Sequence, residues 1–258
     1  FDSGIGGISV MSHIQSLLPD ESLAYIADSL HAPYGLKSHH EILLRSKVII
    51  DYLINTKSAK IIVVACNTAT AAAIIELRDM YQIPIIGMEP AIKPATKSTK
   101  CKRVGILATN GTLESAKFSA LLETYSGDIK FYTQPCPGLV ELIEQGHINN
   151  LPTKNLIQKY LNPFIKAEVD TIVLGCTHYI FIKNIIKNIM APEVNIIDTG
   201  LAVAKQVKSE LENFSLLNNS KERSYSISTN SLNKDMKEII KSITINSNFK
   251  FIYFDSWS

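Results

Sequence analysis

Two cysteines stand in matching surroundings about 110 residues apart, and their types and neighbours suit them to chemistry. The first closes an apolar, β-branched run in Val63-Val64-Ala65-Cys66-Asn67-Thr68-Ala69, and the second closes another in Val173-Leu174-Gly175-Cys176-Thr177-His178. A strand that ends in cysteine and polar residues delivers a thiol to the carboxyl edge of a parallel sheet, where ligands bind in open α/β folds. An ordinary thiol is mostly protonated at neutral pH. To act as a base it needs a helix N-terminus, a cation or a group that takes its proton. Both cysteines precede helical patterns, which favours the thiolate. Asp2 is the candidate partner of Cys66, and His178 and Glu144 are those of Cys176. Ser3, Asn67, Thr68, Thr109, Thr112 and Thr177, with N–H groups at helix starts, could hold carboxylates without a metal. Two thiols facing one carbon suit a reaction that removes a proton from one face and returns one to the other. Inversion at an amino-acid Cα fits. No lysine sits in a recognisable pyridoxal-phosphate setting, so no cofactor is expected.

Taken singly, these residues have ordinary readings. A free cysteine is usually a buried, inert thiol. Asp2 alone would cap the helix after the glycines. His178 would be a satisfied histidine at a helix start, Glu144 an exposed helical residue, and His39-His40 part of a solvated helix start. It is the pairing of Cys66 with Cys176 that argues otherwise; Cys101 and Cys136 have no such context and keep the inert reading. No C-x-x-C pair is present, which argues against a thiol redox protein and against zinc. The run Gly4, Gly6, Gly7 resembles a phosphate-binding turn but lacks a downstream ribose-binding acid.

The elements that must position these groups alternate between strand and helix. Strands are expected over 23–27, 83–88, 104–108, 130–133, 194–197 and 250–254, besides those ending at Asp2, Cys66 and Cys176. Helices are expected over 8–18, 38–55, 70–81, 113–125, 153–168, 181–190 and 201–214, with a short one through Glu144 and another before the last strand. Such alternation implies parallel sheets with helices on their faces. An internal repeat supports two units: Asp2-Ser3-Gly4 precedes Cys66 by 64 positions, and Thr109-Asn110-Gly111 precedes Cys176 by 67. The expected class is α/β with two pseudo-symmetric domains, each a mainly parallel sheet flanked by helices, and the active site between them. Glu89-Pro90 and Asp198-Thr199-Gly200 punctuate the pattern as crossings. The first domain is then 1–89 plus 200–258, and the second 90–199.

Bulk properties leave this open but narrow the partners. A 46% hydrophobic, 19% charged chain of 258 residues has an ordinary globular composition, and a net charge of +2 gives no electrostatic case for nucleic acid or a membrane surface. No apolar run reaches the ~18 residues of a membrane span. No signal peptide is visible, so the cytoplasm is the expected compartment. The chain begins at Phe1 without methionine, and preceding residues are expected to complete the first strand.

Five segments carry a family resemblance: Asp2-Ser3-Gly4-Ile5-Gly6-Gly7, Pro33-Tyr34-Gly35, Ala65-Cys66-Asn67-Thr68-Ala69, Ala108-Thr109-Asn110-Gly111-Thr112 and Leu174-Gly175-Cys176-Thr177-His178-Tyr179. Cys136-Pro137 with Leu142-Ile143-Glu144 adds a sixth. In this order and spacing they resemble glutamate racemase, of the aspartate/glutamate racemase superfamily, over nearly the whole chain. The resemblance implies a cofactor-independent enzyme that interconverts L- and D-glutamate, supplies the D-isomer for peptidoglycan, and forms a homodimer. It implies that Cys66, assisted by Asp2, acts on D-glutamate. Cys176, assisted by His178 and Glu144, acts on L-glutamate. Ser3, Pro33, Tyr34, Gly35, Asn67, Thr68, Thr109, Thr112 and Thr177 would bind the substrate. The chain departs from the family pattern at Ile180 and Glu141, where proline is usual, and at Asp198-Thr199 in place of Asp-Ser. An aspartate or other amino-acid racemase is the near alternative, and Cys176-Thr177-His178 favours the glutamate type. A binding homologue without catalysis is the remaining one, and the presence of both thiols counts against it.

Overall fold

A computed structural model of the chain describes residues 1–220, 222–231 and 250–253. The elements in chain order are α1 (Ile8–Leu17), β1 (Leu23–Ala27), α2 (His39–Lys57), β2 (Ile62–Val64), α3 (Asn67–Met80), β3 (Ile85–Gly87), α4 (Ile92–Ser98), β4 (Arg103–Ala108), α5 (Asn110–Leu113), α6 (Ala116–Tyr125), β5 (Lys130–Pro135), α7 (Leu139–Glu144), α8 (Leu151–Lys166), β6 (Thr171–Gly175), α9 (Lys183–Ile189), β7 (Asn195–Ile197), α10 (Gly200–Asn213), β8 (Tyr225–Thr229) and β9 (Lys250–Tyr253). The helix expected between the last two strands, and Phe254 at the end of the last, lie outside the described residues.

Every strand pairing among the described residues is parallel, as the strand–helix alternation requires. The second half holds one sheet of order β5-β4-β6-β7. In the first half, β2 pairs with β3, and β1 with β8, which in turn pairs with β9. Phe1 and Asp2 join these two groups. Ala65 N–H donates to Phe1 O at 2.7 Å on one side, and Asp2 N–H donates to Ile26 O at 3.0 Å on the other. The first-half order is thus β3-β2-(1–2)-β1-β8-β9. Its first four members match the order β7-β6-β4-β5, so the repeat read from sequence is a repeat of sheet topology.

Helices cover both faces of the first sheet. Ile49, Ile50 and Leu53 of α2 pack with Ile74 and Leu77 of α3 over Ile26, Ile62 and Val64. On the opposite face Val10, Ile14 and Leu18, from α1 and its end, meet Val203, Val207 and Leu211 of α10. Each fully buried side chain of this size contributes about 1.5–3 kcal/mol of hydrophobic stabilisation. A third cluster crosses between the halves: Ile5, Ile8 and Met11 pack with Leu139, Val140, Ile143 and Tyr179. It presses the glycine-rich turn onto α7 and the segment after Cys176.

Two helix starts differ from the sequence expectation, each for a capping reason. Helix α3 starts at Asn67 rather than Thr70, because the Cys66 sulfur accepts from Ala69 N–H at 3.4 Å and serves as the N-cap. The helix expected over 113–125 is two helices, because the Thr109 and Ser115 hydroxyls each accept a backbone N–H and start a new one. Pro94 does not stop the chain from coiling over Ile92–Ser98, since it lies in the first turn of α4, where its missing N–H has no helical partner to lose. No helix among the described residues is long and apolar enough to cross a membrane.

Candidate active site

The strand order brings the carboxyl ends of the two sheets together, and with them Cys66 and Cys176. Both sulfurs are buried, Cys66 at 5% and Cys176 at 8% residue exposure. They line one cavity with Ser3, Tyr34, Thr68 and His178. The cavity measures about 10 Å³, room for about one water molecule. A larger hollow of about 530 Å³, lined by Leu18, Leu23, Lys60 and Ile61, touches neither thiol.

On the first side, Cys66 donates to the Ser3 hydroxyl, 3.7 Å away. Asp2, fully buried, does not reach the sulfur by a hydrogen bond. Its Oδ1 accepts from Ser3 N–H at 2.7 Å, and its Oδ2 accepts from Gly7 N–H at 2.7 Å and the Thr177 hydroxyl at 3.0 Å. Asp2 therefore folds the glycine-rich turn around a negative charge set close to Cys66. Burial pushes the Cys66 thiol up, and the Asp2 charge pushes it further; Ala69 N–H and the Ser3 hydroxyl oppose them without prevailing. The helix start that was expected to favour thiolate is outweighed here, because desolvation of a buried anion exceeds one weak N–H···S contact.

On the second side, Cys176 opens a 3-10 turn, Thr177–Ile182, instead of an α-helix, and its side chain caps nothing. Its partner is a side chain: His178 Nδ1 lies 3.8 Å from the sulfur. The other ring nitrogen, Nε2, lies 2.5 Å from Glu144 Oε1. Burial works to lower the His178 pKa, but the hydrogen bonds the ring makes to Cys176 and to Glu144, with the Glu144 charge, raise it well above the ordinary value. The imidazole therefore holds its proton. Glu144 Oε1 also accepts from Ile5 N–H at 2.7 Å, so the glycine-rich turn of the first half clamps the relay of the second. Only glycine permits that approach. A Cβ on Gly4 would stand 1.9 Å from Glu144 Oε1, and one on Gly6 2.5 Å from Thr177 Oγ1.

A polar wall completes the site. The Thr68 and Thr109 hydroxyls meet at 2.8 Å across the two halves, with Thr112 Oγ1 3.0 Å from Thr109. Beside them Asn67 is 3% exposed, and neither its amide nitrogen nor its amide oxygen has a hydrogen-bond partner among the described residues. Buried amides are ordinarily hydrogen-bonded, so a donor and acceptor left open next to three hydroxyls are a set able to hold a small polar ligand. Pro33 and Gly35 face the same cavity, and the Tyr34 hydroxyl turns away to donate to Asp28 at 2.7 Å.

The structure thus gathers the sequence-derived residues into one region. Sequence reading missed three others. Val140 lines the cavity, Ile5 supplies a backbone N–H, and Tyr25 donates to Gly4 O at 2.5 Å to brace the turn. Backbone groups and cross-sheet braces leave no residue-type signal. Cys136 is buried and its thiol is pushed up to about 12, chiefly by desolvation. Cys101 lies away from the site, against Arg103 O and Glu168 O. Among the described residues no three His, Cys, Asp or Glu side chains are grouped as metal ligands would be.

The chain is similar in sequence and fold to known proteins. The family model described as Asp/Glu/Hydantoin racemase matches residues 6–207. A glutamate racemase of Ectopseudomonas mendocina is 51% identical over 218 residues, covering 84% of this chain and 82% of that protein. The crystal structure of Escherichia coli glutamate racemase in complex with L-glutamate and the activator UDP-MurNAc-ala superposes with a TM-score of 0.86 at 27% identity, covering 98% of this chain and 95% of that one. Glutamate racemase from Francisella tularensis in complex with D-glutamate gives 0.85 at 28% identity, covering 100% and 96%.

Proposed function

The chain belongs to the Asp/Glu/hydantoin racemase family, and from that premise we propose that it interconverts L- and D-glutamate by proton transfer between Cα and two facing thiols. The observation that carries this reading is the pair of buried cysteines, each at the carboxyl end of a strand in a different sheet, lining one cavity.

In the L-to-D direction the Cys176 sulfur, as thiolate, takes the Cα proton. The electron pair left on Cα spreads into the substrate carboxylate. The Cys66 thiol, held protonated by burial and by Asp2, returns a proton to the opposite face. The D-to-L direction exchanges the roles. His178 is the charge partner of Cys176 when that sulfur has lost its proton, and Glu144 fixes the ring and keeps it cationic. Asp2 shapes the Ser3–Gly7 turn beside Cys66. Asn67, Thr68, Thr109, Thr112, Thr177 and Ser3, with the 33–35 loop, bind the substrate's amino and carboxylate groups. The cavity is too small for an amino acid as it stands, so the Thr68–Thr109 contact between the halves parts to admit one. No cofactor or metal takes part. The domains are 1–89 plus 200–258 and 90–199; the enzyme works as a cytoplasmic homodimer, and its D-glutamate supplies peptidoglycan synthesis.

Incubation with L-glutamate in heavy water, without pyridoxal phosphate and with a chelator, tests the reading. Loss of optical rotation together with deuterium at Cα is expected. Neither change with glutamate overturns it, and activity with aspartate alone transfers it to the aspartate type.

A further inference from the structure

The Pro33-Tyr34-Gly35 segment walls the thiol cavity, and its one tie to the core is the Tyr34 ring, packed in a cluster with Phe1, Ile26 and Ile42. Ser29–His31 and Tyr34–Leu36 are two short 3-10 turns whose leucines, Leu30 and Leu36, are 61% and 72% exposed. Within this stretch the buried anchor is Tyr34, at 1%. Its hydroxyl donates to Asp28 Oδ2 at 2.7 Å. Asp28 is itself fully buried at the end of β1. A guanidinium fork holds it: Arg45 Nε donates to Oδ2 at 2.9 Å and a terminal Arg45 nitrogen donates to Oδ1 at 2.7 Å. Asn230, after β8, donates to Oδ1 at 2.6 Å, and His31 Nδ1 lies 3.0 Å from the same oxygen.

We propose that Arg45 is a positioning residue for the reaction: its guanidinium fixes Asp28, Asp28 fixes the Tyr34 hydroxyl, and the anchored 33–35 loop is thereby held as one wall of the substrate cavity. This rests on the racemase reading of the site above. Arg45 stands on α2, whose Ile42, Ile49, Ile50 and Leu53 are locked into the core, so the fork is presented from a rigid support. Burial works to raise the Asp28 pKa, and the hydrogen bonds from Arg45 and Tyr34 more than offset it, leaving the carboxyl below its ordinary value. Without the fork, a buried carboxylate loses its main counter-charge and tends to take up a proton. A planar, two-pronged donor is also a geometric clamp that lysine does not reproduce. The clamp lies behind the loop and touches no reacting atom. Loosening it lowers the fraction of enzyme whose cavity wall is formed, which weakens apparent affinity by the same fraction.

The test is a double-mutant cycle between Arg45→Met and Tyr34→Phe, with kcat and KM measured for both enantiomers. Arg45→Met is expected to raise KM about tenfold for L- and D-glutamate alike, with kcat within about threefold. Arg45→Lys falls between it and the parent. Arg45→Met adds little once Tyr34→Phe is present, because both cut the same chain of contacts. An effect that is fully additive in the cycle, or an unchanged KM in a parent that racemises glutamate, overturns the role of Arg45 alone. A parent inert toward glutamate overturns the proposed reaction, and this role with it. If Arg45→Met does not fold, Arg45→Gln and Asn230→Ala, which loosen the same carboxylate more gently, are read by the same KM and additivity criteria.

Discussion

The surroundings of Cys66 and Cys176 have the same backbone plan and different chemistry. In each half, the strand that ends in cysteine lies beside a strand that ends in a polar turn: β2 beside Phe1-Asp2, and β6 beside β4. The groups gathered around the sulfurs are unlike. Cys66 caps a full α-helix, touches a hydroxyl and sits near a carboxylate, which together with burial keeps its proton on. Cys176 caps nothing and faces an imidazolium backed by Glu144. Duplicated topology thus delivers two thiols to one cavity, and the side chains around them make one a resting acid and give the other a cationic partner. In the two-thiol reading each turnover uses one sulfur as base and the other as acid, and the direction of reaction decides which is which.

The largest break in the comparison is removal of either sulfur. Cys66→Ala and Cys176→Ala are each expected to lower steady-state racemisation at least about a thousandfold in both directions, because a single base cannot serve both faces. Near-native turnover by either variant, measured by circular dichroism, sinks the two-thiol scheme.

A smaller effect should separate the two sides. Glu144→Gln removes one of the interactions that raise the His178 pKa. The imidazolium then loses its proton at lower pH, so the alkaline fall in L-to-D kcat/KM should move to lower pH. Loss of a positioned acid–base group typically costs about a hundredfold or more in rate. A pH profile identical to that of the parent would show that the pair does not tune Cys176.

The mildest change is Ser3→Ala. It removes the hydroxyl that accepts from Cys66 and leaves the Cys176 side intact. Thiol–hydroxyl contacts are weak, so a loss of about three- to tenfold in kcat is expected. A loss in kcat as large as that of Cys66→Ala would mean that Ser3 does more than receive this hydrogen bond and help bind the substrate.

Much of this was legible in residue order. The alternation of apolar runs with amphipathic segments predicts the parallel sheets, and two Cys-polar strand ends predict where the thiols fall. The Ser38–Glu41 capping box marks the start of α2, expected at 38. Other features were hidden because they depend on what surrounds a residue. Asp2 reads as a partner for Cys66, yet its oxygens are taken by Ser3, Gly7 and Thr177. Arg45 gives no sign in sequence, being one charge on a long helix whose partner lies 17 residues earlier.

By itself, the sequence determined the fold class, the repeat and the chemical types that meet in the site. It could do so because strand and helix periodicity and strand-end position are local properties of the chain. Only the tertiary structure decided that Cys66 holds its proton against a helix N-terminus, that Glu144 reaches His178 while receiving Ile5 N–H, and that Asp28 anchors Tyr34. Each of these depends on desolvation and on distances between residues far apart in the chain, and neither quantity exists until the two sheets face each other.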